Sequence, residues 1–564
     1  MSFITLNSIQ MQLRSRYIIA GALLLTSASC TKNFGDINTD KTIVTTPDVK
    51  YLLTYSQEKL ATYNGGEWIW EGMEQLFRYT QHVSASPYEI TNNVNARYGV
   101  YYSQILPNLY EVRRQIAAKA DKDNYQKIAA ITYIIQALHG IKVTDMNGSI
   151  PYTEAEQGRY EGNYNPVYNN QETLFNTWLS ELDNSISILS NAGLPGQVDI
   201  SAADIFYKGD WTKWVKLANT LKLRIAARLE NQNAAKTKEI FKQVMQDATG
   251  PIDNDNAQLS YTNPNFSPFG NDINYRSVRY GSTSIINFLK KANDPRLPIY
   301  FENNGLSKQI FTDNGVTPPS FMDINDPLIQ FQGAPADWTT NPTVAAYISN
   351  AFPINGTNYF LISPINRRFF SPKMNGLTGN YTDVIVTNAE SCLLVAEFIQ
   401  KGYGDGINTK GTAGDWYTKG VTSSIKTMNS IAVAAQSATG YTGDGTAAIQ
   451  TYLDGDDVKF NGVNDLERIY IQEYLNFYRN ASEAFVMVRR TGYPKKSSAY
   501  YAREPFTEAI PRRWWTNDPG EVNRANWNAA LSEQGFTPNA QDVTTLSTQR
   551  IWYDKNAPGF GEGN

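Results

Sequence analysis

The chain has 564 residues, with 50 Lys and Arg against 54 Asp and Glu and a formal net charge of −4. That balance leaves no phosphate-neutralising excess and argues against a general nucleic-acid binder. Two cysteines, Cys30 and Cys392, and two histidines, His82 and His139, are too few to centre function on a His/Cys zinc site or a Ser-His-Asp triad. Charged residues are only 18%, while Tyr numbers 35 and Trp 11. The surface this implies is rich in amides, hydroxyls and phenols, suited to stacking on and hydrogen-bonding neutral polar ligands, although most of the aromatics belong to the core. There is no HExxH, P-loop or GxGxxG.

The N-terminus reads as a processed segment. Arg14 and Arg16 precede Tyr17 to Thr26 (YIIAGALLLT), an apolar run too short to span a bilayer and suited to a signal core. Ser27, Ala28 and Ser29 then lead to Cys30, which resembles a bacterial lipobox whose Cys is lipidated. MQLRSRYIIAG from Met11 reads as a complete signal, so Met11 is an alternative start to Met1. The expected division is 1–29 signal peptide and 30–50 tether, with Cys392 a lone thiol on a helix.

Beyond the tether, residues 51–249 read as a first helical part. Tyr51 to Tyr63 is helical, and Trp68 and Trp70 follow Gly65 and Gly66 at a helix start or in a loop. Val94 to Ala120 and Asn124 to Met146 read as long helices, the first kinked or broken at Pro107, which lacks an amide hydrogen. Asn170 to Leu189 is a further helix. Asp210 caps another in which Trp214, Leu217, Leu221, Ile225 and Leu229 share one face, so the expectation is an amphipathic helix with Lys213, Lys216 and Lys222 mostly off the buried stripe. Lys236 to Asp247 packs against it.

From 250 to 381 the chain is dense in Asn, Pro, Gly, Phe and Tyr, with one short helix at Ser284 to Ala292 and a short strand at Tyr359 to Ile362. A loop-rich region this long reads as the ligand-binding part. Helices return over 382–490 at Thr387 to Lys401, Ala413 to Ala438 and Asp465 to Arg479. The insertion between the last two carries Asp454, Asp456 and Asp457, which could offer oxygen ligands to a structural calcium but lack the Gly and distal Glu of an EF-hand, so no calcium site is expected. Residues 491–564 are irregular, apart from a helix near Ala525 to Gln534.

Taken in order, several segments resemble the SusD/RagB-like outer-membrane lipoproteins of Bacteroidetes. They are FGDINTD (Phe34 to Asp40), TDMNGSIPYTEA (Thr144 to Ala155, with Ser149 where Asp is common) and Tyr207 through Arg224. NDPR (Asn293 to Arg296), NAESCLLVAE (Asn388 to Glu397) and WYTKGVTSSI (Trp416 to Ile425) follow. ERIYIQEYLNFY (Glu467 to Tyr478), RRTGYP (Arg489 to Pro494) and IPRRWW (Ile510 to Trp515) complete the series. The resemblance implies a mostly α fold, a tetratricopeptide-like helix-pair scaffold carrying irregular binding loops. It also implies a non-catalytic surface lipoprotein that captures an oligosaccharide, or a peptide in RagB-like members, for a SusC-like TonB-dependent transporter, with no cofactor. A two-carboxylate glycosidase is the rival class, and its signature is geometric.

The family's ligand residues follow no fixed motif, so the candidates come from residue chemistry. Trp68, Trp70, Tyr88, Trp338, Tyr347 and Tyr359 are candidate platforms, and Asn92, Asn93 and Arg279 candidate polar partners. At least one of Trp68, Trp70 and Trp338 is expected to be exposed and to contact ligand.

Overall fold

A computed structural model describes residues 47–61, 66–87, 89–263, 279–348, 350–373 and 376–563. Cys30 and Tyr88 lie outside the described residues. Residues 49–564 form one compact unit.

Helices are placed largely by local signals. The first, α1, is Val49–Glu58. Trp68 and Trp70 lie in a π-helix, Gly66–Leu76. At the Pro107 break the chain forms a π turn over Tyr101–Ile105, in which the Leu106 amide donates to the Tyr101 carbonyl, and then continues as α2, Leu106–Ala117. A wide turn just upstream of the proline accommodates its missing amide without ending the helix. Next come α3 (Gln126–Asn147), α4 (Gln171–Ser190, capped by Asn170), α5 (Trp211–Leu229) and α6 (Ala234–Gln246). Asp210 caps α5 by accepting the amides of Thr212 and Lys213.

The α5 helix departs from the expected amphipathic pattern. From Leu217 to Leu229 every residue is buried, Lys222, Arg224 and Arg228 among them. It packs against α3, α4 and α6 and also α8 (below), so no face is left for water. Its cations are tolerated because each meets a carboxylate: Lys222 with Asp183, Arg224 with Glu390, and Arg228 with Asp145 and Glu483.

A short helix α7 (Thr283–Lys291) opens the loop-rich part. The second helical part holds α8 (Asn388–Gln400, capped by Thr387), α9 (Ala413–Ala434), α10 (Thr446–Asp454), α11 (Asp465–Asn476), α12 (Ala481–Thr491) and α13 (Arg524–Gln534). Two of these are additions to the sequence reading. In α10, Ile449 and Tyr452 bury one face of what reads as an Asp/Gly-rich insertion. The Asn480 side chain caps α12 by accepting the Glu483 amide, and Gly492, at φ 69°, closes it in the left-handed region. Consecutive helices pack in pairs, α3 with α4, α5 with α6 and α8 with α9, giving a mostly α, tetratricopeptide-like scaffold.

Strands are short and two to a sheet. Val83–Ser84 (β1) pairs antiparallel with Tyr280–Gly281, and Leu259–Asn263 pairs with Tyr381–Val386. These ladders tie the loop-rich part to the helices. The short strand expected at Tyr359 to Ile362 falls earlier, as a hairpin of Phe352–Ile354 and Thr357–Tyr359 turning at Asn355 and Gly356, both at positive φ. Asp457 pairs with Lys291, and Asp454 accepts from Gln450.

Candidate functional site

The loop-rich part builds a hydrophobic cluster of its own around Leu306, Phe311, Ile329, Ile354 and Leu361. Trp338, Tyr347, Tyr359, Phe321 and Phe352 sit half-buried at its edge. The Tyr347 ring lies 5.7 Å from Phe321 and 6.0 Å from Phe352, centroid to centroid, within the range of favourable aromatic pairs. Phe360, next to Tyr359, is 58% exposed. An aromatic ledge of this kind offers flat apolar faces to a ligand without a deep pocket.

Trp338 is the best-held member. Its Nε1–H donates to Ser84 Oγ at 2.8 Å, and Ser84 in turn donates to the Pro335 carbonyl at 2.6 Å. The preceding residue, Asp337, is a buried turn-former. Its Oδ1 accepts from the Thr339 amide and hydroxyl, and its Oδ2 from the Thr507 amide and hydroxyl. Burial would raise this carboxyl, but the donors outweigh it and hold it down at about 2, so it is ionised at neutral pH. Glu504 fixes the other side, accepting the Ala336 amide on Oε2 and the Ser284 amide on Oε1, both at 2.9 Å.

The remaining sequence candidates separate. Trp68 is buried, its Nε1–H donating to the Tyr381 hydroxyl at 3.0 Å, and Arg279 is buried and paired with Glu74. Both are interior residues rather than exposed ligand contacts, because neighbouring elements close over them. Trp70 is half-buried against the main core. Asn92 and Asn93 are exposed on a 3-10 turn, where Asn92 Oδ1 accepts from Trp515 Nε1 at 3.1 Å. The structure thus packs Trp338, Tyr347 and Tyr359 against one cluster and places Asn92 and Asn93 apart from it, on a surface beside Trp515. The sequence reading passed over Ser84, Asp337, Phe321, Phe352 and Phe360. The run Asp337-Trp338-Thr339 does carry an Asx-turn signal that marks a fixed aromatic.

The sequence matches a family model, SusD-like, described as starch-binding associating with outer membrane, over residues 40–515. The chain belongs to the SusD-like family. No curated protein matches this SusD-like chain. Its fold is similar to that of a chitin-binding protein, at 22% identity and TM-score 0.67, covering 90% of this chain and 100% of that one. It is also similar to a chitin-binding SusD homologue from Flavobacterium johnsoniae, at 18% identity and TM-score 0.64, covering 91% and 100%. A SusD homologue from Bacteroides fragilis matches at 20% identity and TM-score 0.65, covering 90% and 100%. SusD-like proteins are binding proteins associated with the outer membrane, and among the described residues no helix is long and apolar enough to cross a membrane.

FGDINTD lies outside the described residues, and several of the other segments that carry the SusD-like resemblance meet inside the scaffold. Asp145 of TDMNG pairs with Arg228 of α5, and Arg224 pairs with Glu390 of the NAESCLLVAE segment. Arg490 of RRTGYP grips Glu397 with both terminal nitrogens, at 2.7 and 2.6 Å, and reaches Glu473 of α11 at 3.2 Å. Arg296 of NDPR pairs with Asp294. Burial works against the charge on Glu397, yet Arg490 and Lys401 hold its carboxyl down at about 2. Glu473, desolvated and beside Glu397, is pushed well up. These segments are recognisable because buried ion pairs require particular residues, and they are remote from the aromatic ledge in role.

Proposed function

We propose that this SusD-like protein captures an oligosaccharide on the Trp338 ledge and delivers it to a SusC-like TonB-dependent outer-membrane transporter, without catalysis. The observation that carries the reading is the setting of Trp338. Its indole N–H is already committed to Ser84, so what it offers a ligand is the ring surface, which packs on the apolar face of a pyranose. Tyr347 and Tyr359 pack at the edge of the same cluster, and Phe360 stands exposed beside Tyr359. The chitin-binding relatives support a saccharide over other ligands. Lipidation at Cys30 would hold the protein on the outer membrane, facing the exterior, where a transporter can receive what it binds.

The test uses residues 31–564 and a panel of chito-, malto- and other oligosaccharides together with oligopeptides, read by calorimetry and by product analysis. Saccharide binding without turnover supports capture. Binding of peptides alone favours a RagB-like role, and product formation refutes the non-catalytic reading. Copurification with a large outer-membrane barrel tests the delivery step.

A further inference from the structure

A second opening lies beside the C-terminal tail. It is an open cleft of ≈ 320 Å³, at the small end of the size range of small-molecule sites, and Lys496, Arg503, Arg550, Phe506, Ile510 and Phe560 line it. Its acids are already engaged. Glu508 pairs with Arg78 at 2.7 Å, and both oxygens of Glu504 accept backbone amides. Of its cations, Arg512 is neutralised by Asp554.

The other three have no such partner. Arg503 is 4% exposed, and its one hydrogen bond among the described residues runs from Nη2 to the Tyr79 carbonyl at 2.6 Å. Its Nη1 is buried with no acceptor. Arg550 donates to the carbonyls of Asp554 and Ala557, and Lys496 stands exposed at the edge. Neither Lys496, Arg503 nor Arg550 forms an ion pair among the described residues. Burial pulls the Arg503 guanidinium down to about 10, the direction expected of a desolvated cation lacking a close anion. A buried guanidinium with an open donor is costly, and a carboxylate removes that cost because its two oxygens match the guanidinium fork.

We propose that this cleft binds a small organic carboxylate, its charged group held by Arg503 with Arg550 and Lys496, and its apolar body resting against Phe506 and Phe560. The site is independent of the Trp338 ledge, although the same 503–507 segment serves both: Glu504 and Thr507 hold Ala336 and Asp337 while Arg503 and Phe506 line the cleft. Two apolar rings beside clustered cations favour a ligand with a body over a bare inorganic anion.

The experiment is calorimetry on the full chain in detergent with galacturonate, N-acetylphenylalanine, the neutral amide of each, and sodium sulfate. At least one carboxylate is expected to bind about tenfold or more tighter than its amide and than sulfate. Lys496→Gln, at an exposed position, is expected to weaken it about threefold or more, and Trp338→Ala to leave it unchanged. Equal binding of acid and amide, sulfate binding as tightly as either carboxylate, no binding of either acid, or indifference to Lys496→Gln overturns the proposal.

Discussion

Arg228 on α5 and Asp145 on α3 form a two-pronged ion pair, Nε to Oδ1 at 2.8 Å and Nη2 to Oδ2 at 2.7 Å, with both side chains 2% exposed. The pair joins two long helices 83 positions apart in sequence. Asp145→Asn keeps the shape and removes the charge, leaving Arg228 with Glu483 alone. The expected loss is about 3 kcal/mol, since breaking a buried pair strands part of a charge in the interior. A chemical-denaturation midpoint equal to that of the parent would contradict this.

Trp338→Ala should weaken saccharide binding about 30-fold, or about 2 kcal/mol, with little change in melting temperature because the ring is half-exposed. Ser84→Ala should have a smaller effect, about 1 kcal/mol, through a less well-fixed ring. Calorimetric titration of both variants checks the order. Equal affinities for parent and Trp338→Ala would remove the ledge as the binding site.

Both histidines of the chain are buried and neutral. His82 Nε2–H donates to the Tyr474 carbonyl at 2.7 Å, and Nδ1 lies 2.8 Å from Thr80 Oγ1. Burial pulls His82 down to about 3 and, aided by Lys142, His139 to about 4. In each case the folded value lies below the unfolded value near 6.5, so the unfolded chain binds the proton first. Their contribution to stability is full above about pH 6.5 and is lost as pH falls towards 4 and 3, at about 1.4 kcal/mol per pH unit for each histidine. Proton uptake on unfolding, measured between pH 6 and pH 4.5, should drop in His82→Gln. An unchanged uptake would mean that His82 is protonated in the fold.

Gly420 lets α9 lie close on α8. A Cβ there would stand 2.8 Å from Leu393 Cγ and 3.3 Å from the Ala389 carbonyl oxygen. Gly420→Val should therefore cost about 2 kcal/mol by overpacking, read as a lower denaturation midpoint. A stability gain from the removed glycine flexibility would show instead that the helix pair can spread.

Cys392 is fully buried on α8, and burial pushes its thiol up to about 12. It should not react with a thiol reagent in the native protein. If Cys30 is lipidated in the mature chain, unfolding should release one titratable thiol, not two. Two thiols, or mass spectrometry of a mature N-terminus with unmodified Cys30, would rule out the lipid anchor.

By itself, the sequence determined what depends on neighbours within a few residues. Asp210 caps its helix as expected, and Asn170 and Thr387, where helices were expected to begin, cap theirs, because a side-chain oxygen reaches amides two or three positions on whatever packs nearby. The order of the segments was enough to indicate the family, and several of them carry a charged residue that the fold buries in a pair, such as Asp145, Arg224, Glu390 and Arg490. The α10 and α12 helices were missed because a Gly-rich flank and a charged segment hide short buried faces.

Tertiary structure decided which aromatics meet solvent. Trp68 and Trp338 look alike in the sequence. Trp68 is closed over by a strand that begins with Tyr381, 313 positions away, while Trp338 is pinned at a cluster edge by Ser84, 254 positions away. It also decided that Lys222, Arg224 and Arg228 lie inside. Periodicity puts Lys222 off the buried stripe, but from Leu217 on α5 is covered on every side, and carboxylates from distant segments make the burial of all three tolerable. Exposure and charge pairing are set by whatever packs from far along the chain, and no local pattern records it.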